Sequence, residues 1–123
     1  MDVATEINAP CERVWDILID TRLWPEWGPS VSAVDCPGRW IEGGLCGRIK
    51  TAFGLWVPFE ITDFEAPVYW HWKVAGIAAT GHRLREVAPD RCELVFEIPY
   101  GAFPYAAVCR RAAGRIARLA EGN

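Results

Sequence analysis

The sequence lacks several features that mark common functional classes. It contains no apolar run long enough to cross a bilayer, so stable membrane insertion is not expected. It has 13 Lys and Arg against 16 Asp and Glu, and the net charge of -3 gives no electrostatic reason to expect nucleic acid. Gly-x-Ser-x-Gly, His-Glu-x-x-His and phosphate-binding glycine-loop motifs are also absent. These absences exclude the familiar hydrolase, metalloprotease and nucleotide-binding patterns.

Metal-binding and redox patterns are equally scarce. There are only two histidines, and the five cysteines contain no Cys-x-x-Cys pair. The sequence therefore predicts no metal and no cofactor. No charged-then-apolar leader opens the chain, so we expect a reducing, cytoplasmic setting. In that setting the cysteines are expected to be small free thiols, namely Cys11, Cys36, Cys46, Cys92 and Cys109.

Tryptophan is the residue that the chain has in excess. Seven Trp occur in 123 residues, of which 51% are hydrophobic and 24% charged. A chain of this size forms one domain, here residues 1–123, and can bury about two thirds of its surface. Trp combines the largest side chain with an N–H group that needs a partner. So many Trp side chains indicate either a bulky core or the walls of an aromatic pocket.

The first part of the chain predicts a strand followed by two short helices. Residues 2–7 alternate polar and apolar side chains, which is the pattern of a half-buried strand. Pro10 favours a helix start, and apolar residues recur at helical spacing from there to about Asp20. The Trp24-Pro25-Glu26-Trp27 run favours a second short helix or turn.

The rest of the chain predicts a sheet and a final helix. Gly54-Leu55 fits a two-residue hairpin turn, and residues 76–81 interrupt the strand pattern. From Pro104 apolar residues recur at steps of three and four up to a stop at Gly122. The fold class is α+β, with an antiparallel sheet of six or seven strands and a long C-terminal helix. Besides the first strand, strands are expected at about 31–36, 45–53, 56–62, 69–74, 82–87 and 92–98.

The opening motif resembles that of the SRPBCC proteins (START, polyketide cyclase/dehydrase, Bet v 1-like). The resemblance lies in the Ala9-Pro10 step, the Val14-Trp15 pair, Asp20 and the Trp24-x-x-Trp27 spacing, and its register extends over the whole chain. It implies a helix-grip fold, in which a curved sheet wraps around the C-terminal helix and encloses a ligand cavity. The chain is shorter than many members, which leaves open a small or partly collapsed cavity. The resemblance implies a fold and a cavity, not a reaction.

A ligand site is expected between the sheet and the last helix. An antiparallel sheet with one apolar face must cover that face, and a helix that carries small residues leaves space. Strand parity and helix spacing give the candidate lining, although a register error of one residue would invert any strand's contribution. Trp27 is assigned either a plug or a ligand contact. The predicted ligand-binding residues are Trp27, Ile49, Phe53, Phe59, Trp70, Trp72, His82, Leu84, Phe96, Tyr105, Cys109, Ala112 and Ala113.

His82 is the one candidate for a catalytic residue. It shares strand parity with Leu84 and should therefore face the apolar interior. There it can satisfy a backbone carbonyl, anchor a ligand, or act as a general base in a cyclisation or dehydration. Tyr105 can donate its hydroxyl to the same ligand or cap a helix end. No paired carboxylates with acid/base spacing accompany them.

Three functions remain open at this point. The first is binding of a small hydrophobic or aromatic, lipid- or polyketide-like molecule, which the apolar inward set favours. The second is a polyketide cyclase/dehydratase-type enzyme that uses His82. The third is a co-chaperone-like interaction protein with an exposed apolar surface. The sequence makes no prediction of oligomeric state.

Overall fold

The computed structural model describes residues 1–99 and 105–122, which form seven strands and three helices. The predicted α+β class is confirmed, and the alternation of periods in the sequence gives the correct order of elements. The elements are β1 (Asp2–Ile7), α1 (Cys11–Ile19), α2 (Trp24–Trp27), β2 (Val31–Asp35), β3 (Cys46–Thr51), β4 (Trp56–Glu65), β5 (Tyr69–Val74), β6 (Ile77–Ala88), β7 (Arg91–Glu97) and α3 (Ala106–Glu121).

All seven strands belong to one antiparallel sheet. Its strand order is β1-β7-β6-β5-β4-β3-β2, so β1 and β2 form the two edges. The chain crosses from one edge to the other through α1 and α2. The edge strand β2 shifts register between Val31 and Ala33, and β1 exposes Asp2 and Glu6. The later strands are joined as successive hairpins, as the sequence predicts.

The C-terminal helix covers one side of the concave face. α3 packs against β1, β7, α1 and α2 and buries Ala112, Ala113 and Ile116. Gly122 ends it in the left-handed conformation, with φ of 81°, and donates its N–H to the Arg118 carbonyl. The predicted helix start at Pro104 lies outside the described residues. No helix in the described part of the chain is long and apolar enough to cross a membrane.

An ion pair with a buried carboxylate joins the end of α1 to the loop that follows β2. The Asp20 carboxylate is almost fully buried and accepts hydrogen bonds from the Arg39 guanidinium at 3.0 and 3.2 Å. It also accepts the backbone N–H of Arg22 at 3.0 Å. Three donors on one buried carboxylate offset the cost of removing it from water. This explains structurally why the opening motif contains Asp20.

Two predicted strand boundaries are wrong because the turns differ from those expected. β3 ends at Thr51, and residues 52–55 form a four-residue loop in which Gly54 has φ of 85°. Thr51 closes this loop by accepting the Gly54 N–H at 2.9 Å. Phe53 therefore lies in the loop, 93% exposed, and does not face inward from a strand.

The second boundary concerns β6. Ala75 and Gly76 both have positive φ, 53° and 77°, and form a tight two-residue turn. β6 therefore begins at Ile77, so residues 77–81 of the expected interruption belong to the strand. A register shift against β5 lies opposite this stretch. Thr80, which the sequence analysis leaves in the interruption, is consequently buried in the sheet.

The expectation that all cysteines are free thiols is also wrong. Cys11, the first residue of α1, and Cys92 in β7 form a disulfide with their Cα atoms 5.0 Å apart. The two cysteines are 81 residues apart in sequence, so local sequence pattern does not reveal the pairing. The pairing depends on the packing of α1 against β7. Cys36, Cys46 and Cys109 are free.

The disulfide yields a direct prediction. In the unfolded, non-reduced protein three thiols should react with a thiol reagent, and all five only after reduction. The double variant Cys11→Ser/Cys92→Ser should lower the free energy of unfolding by about 2–4 kcal/mol, because it releases a long closed loop. Cys46→Ser, at an exposed free thiol, is the matched control for urea denaturation. Five reactive thiols before reduction would contradict the pairing.

Candidate ligand-binding site

Trp24 fills the middle of the space between the sheet and the helices. It projects from α2, is 1% exposed, and stacks on Trp70 with ring centroids 5.7 Å apart and planes 10° apart. Its edges meet Phe59 at 5.4 Å and Trp72 at 5.3 Å. Its indole N–H donates to the Leu18 carbonyl at 2.9 Å. An aromatic cluster thus occupies the volume where the sequence predicts a cavity.

His82 faces inward, as its strand parity predicts, and is 1% exposed. Its ring lies on Trp70, with centroids 3.8 Å apart and planes 17° apart. Nδ1 donates to the Trp70 carbonyl at 3.4 Å, and Nε2 accepts from the Thr80 hydroxyl at 3.4 Å. The Thr80 oxygen in turn accepts the Trp72 indole N–H at 3.3 Å. This directional chain gives both imidazole nitrogens a partner and leaves the ring neutral.

Burial determines the titration of His82. Desolvation lowers its pKa to about 3, although the Trp70 carbonyl opposes that effect, and the charge of His71 adds slightly to it. An efficient general base has a pKa near the working pH. A neutral imidazole whose two nitrogens are both engaged suits hydrogen bonding in the wall of a site better than proton transfer.

A small cavity lies beside this cluster, and we call it the inner cavity. Its volume is about 40 Å³. It is lined by Trp27, Trp70, His82 and Phe96 from one side and by Cys109 and other residues of α3 from the other. A water molecule takes about 30 Å³ in the liquid, so the inner cavity holds one small group and no ring.

A second space, the outer pocket, is about 330 Å³ and has mainly apolar walls. It lies where β3, β5 and β6 approach their turns, with Ile49, Val74 and Ala79 in its walls and Phe53 at its edge. Its volume is in the range of small-molecule sites, roughly 300–1,000 Å³. The outer pocket, not the middle of the fold, therefore has room for the body of a ligand.

Four residues line both spaces, and we call them the partition: Ser30, Trp72, Thr80 and Tyr105. The Ser30 and Tyr105 hydroxyl oxygens lie 2.5 Å apart. Burial raises the pKa of Tyr105, against the opposing effect of the Ser30 hydrogen bond, and so keeps the phenol neutral. A polar partition therefore separates an apolar outer pocket from the inner cavity.

The described residues give neither space a charged wall. Among the described residues, no Asp, Glu, Lys or Arg lines the inner cavity or the outer pocket. Burial raises the pKa of the Cys109 thiol to about 11, so it is protonated at neutral pH. His82 and Tyr105 are neutral for the reasons given above. An ionised group placed here would lose its hydration without gaining a counter-charge.

The predicted site residues lie in three places: the inner cavity, the outer pocket and the closed core. Phe59, Leu84 and Ala113 are buried but belong to neither lining, because Phe59 packs on Trp24 and Trp72 and the other two lie in closed core. Ile49 and Phe53 line the outer pocket, and Trp72 and Tyr105 line both spaces. The inner cavity brings together Trp27, Trp70, Trp72, His82, Phe96, Tyr105, Cys109 and Ala112.

Trp24, Thr80 and Ser30 are among the lining residues that sequence reasoning missed. Trp24 could have been found, since a helix with Trp at positions i and i+3 presents both side chains to one face. Thr80 shares parity with His82, but it lies in the stretch 76–81, whose composition favours a break in the strand. Ser30 follows Pro29 in a connection and gives no periodic signal.

The architecture defines a helix-grip protein with an aromatic, uncharged pocket. A family described as "Polyketide cyclase / dehydrase and lipid transport" matches residues 1–122, and the chain belongs to it. The resemblance to SRPBCC proteins is thereby confirmed. A comparison with curated proteins finds no match.

Solved structures share the fold at low identity. An aromatase/cyclase from a Streptomyces species, Zhui, superimposes with a TM-score of 0.72 at 13% identity, covering 98% of this chain and 92% of that chain. The di-domain ARO/CYC StfQ from the steffimycin biosynthetic pathway gives 0.75 at 16%, covering 98% and 44%. An uncharacterized protein from Bacillus thuringiensis gives 0.73 at 12%, covering 97% and 96%. At these low identities the superpositions establish a common fold and nothing more.

The buried imidazole predicts a specific pH dependence of stability. Its pKa is lowered in the folded state, so only the unfolded state takes up a proton between about 6.5 and about 3. His82 therefore stabilises the fold above pH 6.5, and that contribution should decline as the pH falls through this window, by up to about 1.4 kcal/mol per pH unit.

The measurement is urea unfolding of the wild type and of His82→Gln across the same window. The variant should lose this part of the slope, whereas Cys46→Ser, at an exposed free thiol, should retain it. Equal slopes for the wild type and His82→Gln would show that His82 is not a buried neutral imidazole.

Proposed function

We propose that this protein binds a small, uncharged hydrophobic or aromatic molecule. The observation that carries the proposal is the outer pocket of about 330 Å³, whose walls are mainly apolar and which shares the partition with the inner cavity. Apolar walls with a few convergent polar groups are typical of small-molecule sites. Membership of a family whose description includes lipid transport supports the same conclusion.

The ligand's position follows from volume. Trp24 and its aromatic neighbours leave only about 40 Å³ between the sheet and α3. The ligand's ring or chain therefore lies in the outer pocket against Ile49, Val74 and Ala79, with one end at the partition. Phe53, exposed at the edge of that pocket, is placed to cover the ligand.

Binding is favoured over a His82-dependent cyclase or dehydratase. The structural neighbours include aromatase/cyclases, which keeps a polyketide-like molecule among the candidate ligands. A base in this site, however, needs a free nitrogen, and both nitrogens of His82 have partners. Turnover of a polyketide-like substrate that falls at least a hundredfold in His82→Gln, with affinity retained, would instead establish an enzyme.

We also propose that the protein is cytoplasmic, and the Cys11–Cys92 pair provides a test of this location. Disulfides are rare in reducing compartments. If the protein functions in the cytoplasm, alkylation of intact cells before lysis should find Cys11 and Cys92 largely reduced. A pair that is oxidised in the cell would place the protein in an oxidising compartment.

The binding proposal predicts that filling the outer pocket abolishes binding. Ala79→Phe places a benzyl ring among its apolar walls and should weaken binding of the neutral fluorescent probe N-phenylnaphthylamine by at least about tenfold, since a well-filled small site depends on tight packing. Ala4→Phe, on the exposed face of β1, is the matched control and should bind as the wild type does.

Two results would contradict the proposal. One is a wild-type protein that binds no neutral apolar probe, and the other is a folded Ala79→Phe variant that binds as well as the control. Ala112 and Ala113, which the sequence predicts as ligand-binding residues, are less suitable for this test because both are buried. A phenylalanine there would overpack the core at a cost of about 1–3 kcal/mol.

A further inference from the structure

We propose that the end of the sheet beside the outer pocket is a docking surface for an anionic phospholipid bilayer. Its contact residues are exposed apolar side chains at the β3–β4 loop and the β5–β6 turn, which we call the apolar tip: Phe53, Leu55, Trp56 and Ile77. Contact of this kind is peripheral, since the side chains reach only the boundary between headgroups and acyl chains. The inference goes beyond the binding of a small molecule and does not depend on it.

The side chains of the apolar tip are exposed to an extent that their chemistry does not favour in water. Phe53 is 93% exposed, Ile77 72%, Leu55 67% and Trp56 43%. The other large apolar side chains that are exposed lie on four separate segments: Met1, Trp40, Val68 and Val87. Single exposed apolar residues are ordinary, whereas a cluster of them marks an interaction surface.

The two turns of the apolar tip lie side by side and adjoin the outer pocket. β4 and β5 are neighbours in the sheet, and the Ala75 N–H donates to the Pro58 carbonyl at 2.8 Å. Phe53 from the loop and Ala79 from the start of β6 line the same pocket. Docking would therefore bring the outer pocket to the lipid. If the proposed function holds, an apolar ligand would enter there without crossing water.

Cations surround this end of the molecule. Residues 47–59 and 73–80 contain Arg48, Lys50 and Lys73 and no Asp or Glu. Tyr105 lines the outer pocket, so α3 begins at the same end. The first two turns of α3 expose two further cations, Arg110 and Arg111.

Few carboxylates offset these cations. Asp35 pairs with Arg48 at 2.6 Å, and Glu60 lies opposite Lys73 in the β4–β5 register. The turns at the opposite end of the sheet are acidic by comparison, since residues 62–68 and 84–93 contain five Asp and Glu against two Arg. An anionic surface therefore attracts the end that carries the apolar tip and repels the β4–β5 and β6–β7 turns.

The chemistry of the apolar tip fits a lipid interface better than a second protein. Trp and long cationic side chains are the residues that favour the headgroup region. The Arg48 guanidinium lies over the Trp56 ring, 5.2 Å from its centroid, and so combines both types. Side chains that project singly from two turns can enter a fluid interface. They do not form the closely packed patch that a rigid protein partner requires.

Cosedimentation with vesicles tests the proposal. We expect the wild type to bind vesicles of phosphatidylcholine and phosphatidylglycerol, mixed about two to one, and to bind phosphatidylcholine alone at least about tenfold more weakly. Phe53→Ser/Leu55→Ser should weaken binding to the mixed vesicles by at least about tenfold, because it removes two exposed apolar side chains. Val68→Ser/Val87→Ser, at exposed positions toward the opposite end of the sheet, is the matched control and should bind as the wild type does.

A pair of charge variants tests the role of the cations. Lys50→Gln/Lys73→Gln should lose most of the preference for phosphatidylglycerol, since two cations near the surface are removed. Arg85→Gln/Arg91→Gln makes the same change in net charge toward the opposite end of the sheet and should retain the preference. Equal losses in the two variants would show that net charge, and not this surface, determines binding.

Fluorescence quenching identifies the surface that meets the lipid. Vesicles with brominated acyl chains should quench tryptophan emission of the wild type, and Trp56→Phe should remove most of that quenching. Trp40→Phe is the matched control, because Trp40 is similarly exposed, at 47% against 43%, and lies outside the apolar tip. This measurement decides even if Phe53→Ser/Leu55→Ser fails to fold.

The outcomes separate docking from the proposed function. A wild type that binds N-phenylnaphthylamine in solution but binds no vesicle would overturn docking and leave the binding function intact. Vesicle binding without probe binding would support docking and overturn the binding function. Quenching that survives Trp56→Phe would overturn the apolar tip as the contact surface. A dimer that Phe53→Ser/Leu55→Ser separates, without vesicle binding, would assign the surface to a second copy of the chain and overturn the proposal.

Discussion

The stacking of Trp24 on Trp70 is the contact on which the interior depends. The planes of the two indoles are 10° apart, and the Trp24 N–H is fixed on the Leu18 carbonyl at the end of α1. One side chain thus connects both short helices to the central strands. Because Trp24 occupies the space between the sheet and α3, it determines how little volume remains there.

The aromatic cluster also determines the chemistry of the pocket. His82 lies between Trp70 and Phe96, and burial among these rings keeps its imidazole neutral. Among the described residues the walls carry no charge, and hydroxyl groups lie at the partition. The fold is shared with aromatase/cyclases, and function depends on the side chains that line the site and not on the fold.

The periodicity of the sequence predicted those features of the fold that depend only on local pattern. The inward direction of Trp70, His82 and Phe96 follows from period two, and the three residues lie opposite one another on adjacent strands. The position of Phe53 did not follow, since the β3–β4 loop has four residues and its strand ends earlier. The disulfide and the size of the cavity depend on how α1 and α2 pack on distant strands. No pattern within a single segment of sequence contains that information.

The two edge strands, β1 and β2, affect how readily the sheet pairs with strands of other protein chains. A sheet edge exposes unpaired backbone groups and can recruit a strand from another molecule. Here β1 has six residues and exposes Asp2 and Glu6, whereas β2 has five and breaks its register at Val31 and Ala33. Short, charged and irregular edges are poor templates for intermolecular strand pairing. The sheet can therefore present an apolar pocket at its turns while its sides resist aggregation.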